Sequence, residues 1–230
     1  MKTIIYGGAF DPPHMAHEHL VRMIVTKYNP ERLFIVPSDL RSDKTYKVSL
    51  EHRIKILSIF AENLSDIGAE LYDDFMIGRI IDGTTLGVDK IFRERFWHSP
   101  TQVFGTDVIP HMQFWNPSGQ VEREIPKIFV LRSGTETPDF SRISNHLTIS
   151  PELPADIAIL SSSQVRENIK QNIFFWLAPK IREYIADNNL YFNTSGLKPL
   201  LSSSKASKKQ RKLKWTNQHR VKTPLTLVRW

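Results

Sequence analysis

The residues of this 230-residue chain best suited to chemistry are His14 and His17, which directly follow Gly7-Gly8-Ala9-Phe10-Asp11-Pro12-Pro13. A short apolar run from Thr3 to Tyr6 leads into the glycines. A helical pattern follows from about Met15 to Lys27, with Leu20, Met23, Ile24 and Tyr28 spaced for one face. Such a strand–loop–helix junction suits an anion. Glycine lets a ligand come close to the backbone. The start of a helix offers unpaired N–H groups and a partial positive charge. Residues at i and i+3 share a helical face, so both imidazoles can meet one phosphate. A metal pair is the weaker alternative: two ligands leave a zinc site short, and no other histidine pair with suitable spacing appears.

A second candidate is Ile159-Leu160-Ser161-Ser162-Ser163-Gln164-Val165-Arg166, read as an apolar strand, a serine run and a helix with arginine in its first turn. Hydroxyls and helix N–H groups can hold phosphate oxygens, and a guanidinium adds a charged fork. Capping serines followed by a surface arginine would give the same string.

These candidates need a scaffold. Strands are expected at 3–6, 33–36, 101–104, 127–131 and 157–160. Helices are expected at 15–27, from Ser49 as N-cap, and at 85–97, 163–172 and 178–188. Near-continuous apolar strands alternating with helices predict an α/β fold, a Rossmann-like parallel sheet with helices on both faces. Ligands of such a sheet bind outside the carboxyl ends of the strands. Asp11, at a helix start, is expected to cap rather than to bind magnesium.

Composition narrows the classes. Apolar residues make up 40% and charged residues 24%, enough for a core. With no cysteine, disulfides, thiolate catalysis and cysteine-based zinc sites are excluded, and a cytoplasmic address is expected. No apolar run approaches 18 residues, so no membrane partner is expected. The net charge of +7 is unevenly spread: residues 195–230 carry ten Lys or Arg and no acid, leaving 21 basic against 24 acidic residues before them. The expected organisation is therefore one domain over 1–193 and a basic, solvated tail over 194–230. Nucleic acid could bind only through that tail. A homo-oligomer is compatible with the sequence.

GGAFDPPHMAH resembles the phosphate-binding signature of the nucleotidyltransferase superfamily, Gly-x-Phe-x-Pro-x-His-x-Gly-His, with Ala16 standing where glycine is usual. Alanine favours helix, so the loop is expected to tolerate it. The serine run is similar to the second signature, Ile-Ser-Ser-Thr-x-x-Arg. The resemblance covers about residues 3–192 and implies a nucleotidyltransferase fold. It implies catalytic roles for His14, His17, Arg166 and a loop lysine, Lys44 (or Lys47), ahead of a helix bearing Arg53. It implies ATP and phosphate contacts at Gly7, Gly8, Ala9, Phe10, Ser161, Ser162, Ser163, Gly105 and Asp107.

Three further stretches look like the nicotinate/nicotinamide mononucleotide adenylyltransferases. Phe104-Gly105-Thr106-Asp107 is followed eight residues later by Trp115, which in that family stacks on the pyridine ring. Gly83-Thr84-Thr85-Leu86 resembles Tyr-Thr-x-x-Thr-Leu, without the tyrosine and with Val88 at the second threonine. Leu177–Ile185, then Leu190-Tyr191, resembles the closing helix. Thr84, Thr85, Trp115 and Arg132 would bind the acceptor. The implied reaction is transfer of AMP from ATP, with Mg2+, to nicotinate or nicotinamide mononucleotide, releasing pyrophosphate. Other acceptors remain open, either in a pantetheine-phosphate adenylyltransferase or in a cytidylyltransferase. So does a non-catalytic nucleotide- or RNA-binding protein using the basic tail.

Overall fold

Six short strands form one parallel sheet in the order β3-β2-β1-β4-β5-β6. The computed structural model describes residues 2–38, 45–72, 84–115, 119–131 and 138–192. Within it β1 is Thr3–Gly8, β2 Arg32–Pro37, β3 Ala69–Leu71, β4 Thr101–Gly105, β5 Lys127–Val130 and β6 His146–Ile149. The longer helices are α1 (Met15–Tyr28), α2 (Leu50–Glu62), α3 (Thr85–Phe96), α7 (Ser162–Lys170) and α8 (Pro179–Asp187). The single-turn helices are α4 (Ile109–Met112), α5 (Gln120–Arg123) and α6 (Ala155–Ala158).

Alternation along the strands sorts the core into two faces. Ile4, Tyr6, Leu33, Ile35, Val103 and Ile128 pack against α1, α2, α7 and α8. On the other face, Ile5, Phe34 and Val36 pack with Val88 and Phe92 of α3, and Phe129 packs with Met112 and Val121 of α4 and α5. Each such side chain taken from water stabilises the fold by about 1.5–3 kcal/mol. Helices on both faces of a parallel sheet are what the sequence predicts.

Three segments differ from expectation. Residues 157–160 are not a strand: Ala155–Ala158 is a helical turn and Ile159 is 72% exposed. The strand that precedes α7 is instead β6, where only Ile149 is buried, so His146-Leu147-Thr148 carries little apolar signal. The edge strand β3 has only three residues, too few to show a period. The expected tail, 194–230, lies outside the described residues. Among the described residues no helix is long and apolar enough to cross a membrane.

The strand order reverses between β1 and β4. From β1 the chain winds outward through β2 and β3, then returns to β4 on the far side of β1. Crossovers leave the carboxyl ends of β1 and β4 in opposite directions, which opens a crevice there. The loop after β1 and the turn after β4 both open onto it.

Candidate active site

The loop after β1 is shaped by its own aromatic residue. Phe10 takes a left-handed backbone, φ 46°, and turns its ring into the core, edge-on to Tyr6 at 5.3 Å and to His17 at 5.2 Å. Only the main chain of Phe10 is left to face a nucleotide. A Cβ at Gly8 would stand 3.0 Å from the Phe10 ring, so a side chain there would press on that ring. Gly7 is exposed, and a Cβ there would find its nearest neighbour at 3.9 Å. Ala9 is half-buried; its carbonyl accepts from Arg53 Nη1 at 3.2 Å.

His14 is the N-cap of α1, not a residue within it. Its main-chain N–H donates to Nδ1 of His17 at 3.1 Å. The two rings stand 3.9 Å apart, as the i,i+3 spacing predicts. His14 is buried, which pulls its imidazole down to about 3, and its Nδ1 is buried without a hydrogen-bond partner. His14 is thus a neutral imidazole at pH 7. Ala16 is the second residue of α1, where alanine suits the helix.

Asp11 is not the cap of α1, because His14 holds that position. Its buried carboxylate accepts from Tyr191 Oη at 2.9 Å on Oδ1 and from the Lys47 main-chain N–H at 2.7 Å on Oδ2. Three parts of the chain, the β1 loop, the lead-in to α2 and the end of the α8 segment, therefore meet on one side chain.

The second motif docks directly on the first. Ser161 caps α7, with Gln164 reaching back to its main-chain N–H at 2.8 Å. Ser162 Oγ donates to the Pro12 carbonyl at 2.9 Å, and Ser163 Oγ accepts from Arg166 Nη2 at 2.9 Å. Arg166 Nη1 donates to the Asp11 carbonyl at 2.6 Å and stands 3.8 Å from Asp11 Oδ2. Each serine hydroxyl is thus engaged within the protein. What α7 can offer an anion is its first-turn N–H groups and the guanidinium.

On the far side of the crevice, Gly105 ends β4 and Asp107 lies exposed in the 3-10 turn Thr106–Val108. A Cβ at Gly105 would run into the Asp107 carboxylate. Trp115 is half-buried against Phe104 at 5.6 Å. Thr84 caps α3, accepting from the Gly87 N–H at 3.0 Å, and the Thr85 carbonyl accepts from buried Gln102 at 3.0 Å. A helix between parallel strands runs back along the sheet, so α3 begins at the same sheet end as the β1 loop. Lys44 and Arg132, like Gly83, lie outside the described residues. Lys47 is exposed and serves Asp11 through its main chain.

Two members of this assembly take positions that the sequence does not show. Arg53 is fully buried, stacked on Tyr46 at 3.8 Å, and bridges the Ala9 carbonyl to that of Ser38 at 2.7 Å. Tyr191 looks structural in sequence, yet its hydroxyl ends on Asp11. An i,i+3 arginine in a helix gives no sign that it will be buried. No local pattern links positions 180 residues apart.

Comparison with known proteins agrees with this fold. The sequence profile of the family described as Cytidylyltransferase-like matches residues 5–168. A probable nicotinate-nucleotide adenylyltransferase of Acholeplasma laidlawii is 24% identical over 190 residues, covering 82% of this chain and 97% of its own. The nicotinate-nucleotide adenylyltransferase of Bacillus subtilis is 24% identical over 202 residues, covering 83% and 99%. The solved structure of Plasmodium falciparum nicotinic acid mononucleotide adenylyltransferase complexed with NaAD superposes with a TM-score of 0.70 at 25% identity, covering 84% of this chain and 99% of that one. With both signature-like segments in contact at the switch point of a parallel sheet, and with a profile that matches residues 5–168, the chain belongs to the cytidylyltransferase-like family of nucleotidyltransferases.

Proposed function

We propose that the protein transfers the adenylyl group of ATP to nicotinate mononucleotide, forming the dinucleotide and pyrophosphate in NAD biosynthesis. The observation that carries this reading is the direct contact of the two motifs, Ser162 on Pro12 and Arg166 on Asp11. It brings the His14–His17 pair and the start of α7 to one place. The names of the relatives and the NaAD bound to the Plasmodium enzyme support the choice of acceptor.

In this reaction an oxygen of the acceptor's 5′-phosphate bonds to the α-phosphorus of ATP, and the bond from that phosphorus to the β-bridging oxygen breaks. The nucleophile is already anionic at pH 7, so the protein need not supply a base. Its contribution is positioning and charge stabilisation. His17, whose Nδ1 is occupied as an acceptor, would donate from Nε2 to the transferred phosphate. His14 would act as a neutral partner beside it. Arg166 and the N–H groups of Ser162 and Ser163 would hold the departing phosphates. Gly105, Asp107 and the main chain from Gly7 to Phe10 would flank ATP. Thr84, Thr85 and Trp115 would flank the acceptor, with Lys44 and Arg132 assigned by resemblance alone.

Among the described residues no group of three or more His, Cys, Asp or Glu could hold a metal ion. Mg2+ is proposed to come with ATP as part of the substrate, neutralising its phosphates. The test is purified protein with ATP, Mg2+ and, separately, nicotinate mononucleotide, nicotinamide mononucleotide or pantetheine phosphate, and CTP with a phosphoalcohol. Pyrophosphate and dinucleotide should appear with nicotinate mononucleotide fastest. Faster release with another acceptor would reassign the branch.

A further inference from the structure

Tyr191 lies beyond the last helix, in a segment whose resemblance to the family points only to packing. Its backbone is left-handed, φ 66°, and it carries no glycine to ease that conformation. Non-glycine residues held there persist only where surrounding contacts impose it. Phe10, next to Asp11, is the other buried aromatic of this kind, φ 46°. The two unusual backbones lie on either side of one hydrogen bond, Tyr191 Oη to Asp11 Oδ1 at 2.9 Å, and both residues are buried. Burial and the Asp11 carboxylate push the phenol well above its ordinary range, so it stays a donor at any working pH.

Asp11 in turn faces Arg166, whose Nη1 donates to its carbonyl at 2.6 Å and stands 3.8 Å from its Oδ2. The Lys47 N–H occupies the same Oδ2 at 2.7 Å. A carboxylate with one oxygen held by a phenol and the other by a main-chain N–H is fixed in orientation, and here it stands 3.8 Å from the guanidinium, not in a two-point pair with it. The second nitrogen, Nη2, is held by Ser163 at the start of α7 instead. We infer that Tyr191 is a positioning residue: by holding Asp11 still it keeps Arg166 turned toward the start of α7, ready for the phosphates of a nucleoside triphosphate. This rests on the nucleotidyltransferase reading of the site but not on the identity of the acceptor.

The test is a double-mutant cycle on the full chain, with Mg·ATP as the probe in equilibrium binding and nicotinate mononucleotide added for turnover. Tyr191→Phe keeps the buried ring and removes only the hydroxyl. Arg166→Lys keeps the charge and loses the two-nitrogen grip. Tyr191→Phe should weaken Mg·ATP binding about tenfold, the scale of a hydrogen bond to a charged group, and lower kcat as well. In the Arg166→Lys background the same change should alter binding less than about twofold, because its effect passes through the guanidinium. Loss by the same factor in both backgrounds would show a merely structural tyrosine, and wild-type binding by Tyr191→Phe would overturn the inference. Tight Mg·ATP binding without dinucleotide formation would overturn the proposed acceptor while leaving the cycle readable. Failure of the wild type to bind Mg·ATP would overturn both.

Discussion

The main-chain N–H of His14 donates to Nδ1 of His17 over 3.1 Å, and the two imidazoles stand 3.9 Å apart. The bond puts the two histidines in different positions. A ring whose Nδ1 accepts carries its neutral proton on Nε2, so His17 is oriented as a donor by the turn that starts its own helix. His14 supplies that orienting N–H and is itself enclosed.

His17→Ala is expected to lower kcat by about 10²-fold, the cost of losing one oriented donor to a developing charge. His17→Asn restores an acceptor for the His14 N–H without a donor at the Nε2 position. It should therefore keep the melting temperature of the wild type while being as slow as the alanine variant. Near-normal turnover in either would remove His17 from the chemistry.

His14 makes stability depend on acid. Burial holds it near 3 in the folded protein against 6.5 when free. Between those values the unfolded chain binds a proton that the folded one refuses. The stabilisation is complete above pH 6.5 and is lost as pH falls toward 3, by at most about 1.4 kcal/mol per pH unit. Urea denaturation at pH 7 and pH 5 should show a larger loss for wild type than for His14→Asn. Equal losses would place the acid sensitivity elsewhere.

Arg53 joins the loop after β1 to the end of β2 through the carbonyls of Ala9 and Ser38. Arg53→Met fills the space and leaves both acceptors without that donor. A loss of about 2 kcal/mol is expected, with a rise in KM for ATP as the loop loosens. Unchanged KM in a folded variant would confine Arg53 to stability.

The two loop glycines should respond differently. Gly8→Ala brings a methyl group to 3.0 Å from a ring already wedged between Tyr6 and His17. Overpacking of that kind costs about 1–3 kcal/mol and should displace His17, cutting activity. Gly7→Ala meets only the Val36 carbonyl at 3.9 Å and should be tolerated for folding. Equal tolerance at both positions would mean that the Phe10 ring can yield.

Much of this protein is legible in its residues alone. The apolar strands β1, β2, β4 and β5, the helices α1, α2, α3, α7 and α8 and the two signature-like strings are local patterns, set by side-chain period and by the chemistry of neighbouring residues. The family resemblance rests on such strings. Where apolar signal is short or absent the reading fails: β3 has three residues and β6 buries one side chain. The Ile157–Leu160 run, read as a strand, lies in and after a helical turn instead. What only the tertiary structure decided is how the site is held. Asp11 reads as a cap and becomes the junction of Tyr191, Lys47 and Arg166. Arg53 reads only as the arginine of the helix after the loop lysine, and it is fully buried. Ser162 reads as a phosphate ligand and donates to Pro12. Each of these partnerships joins residues 36 to 180 positions apart, or pairs a side chain with a backbone carbonyl that every residue possesses. A buried polar group takes whichever partner the packed chain brings within reach, and that is settled by how the chain winds about the sheet, not by any local string.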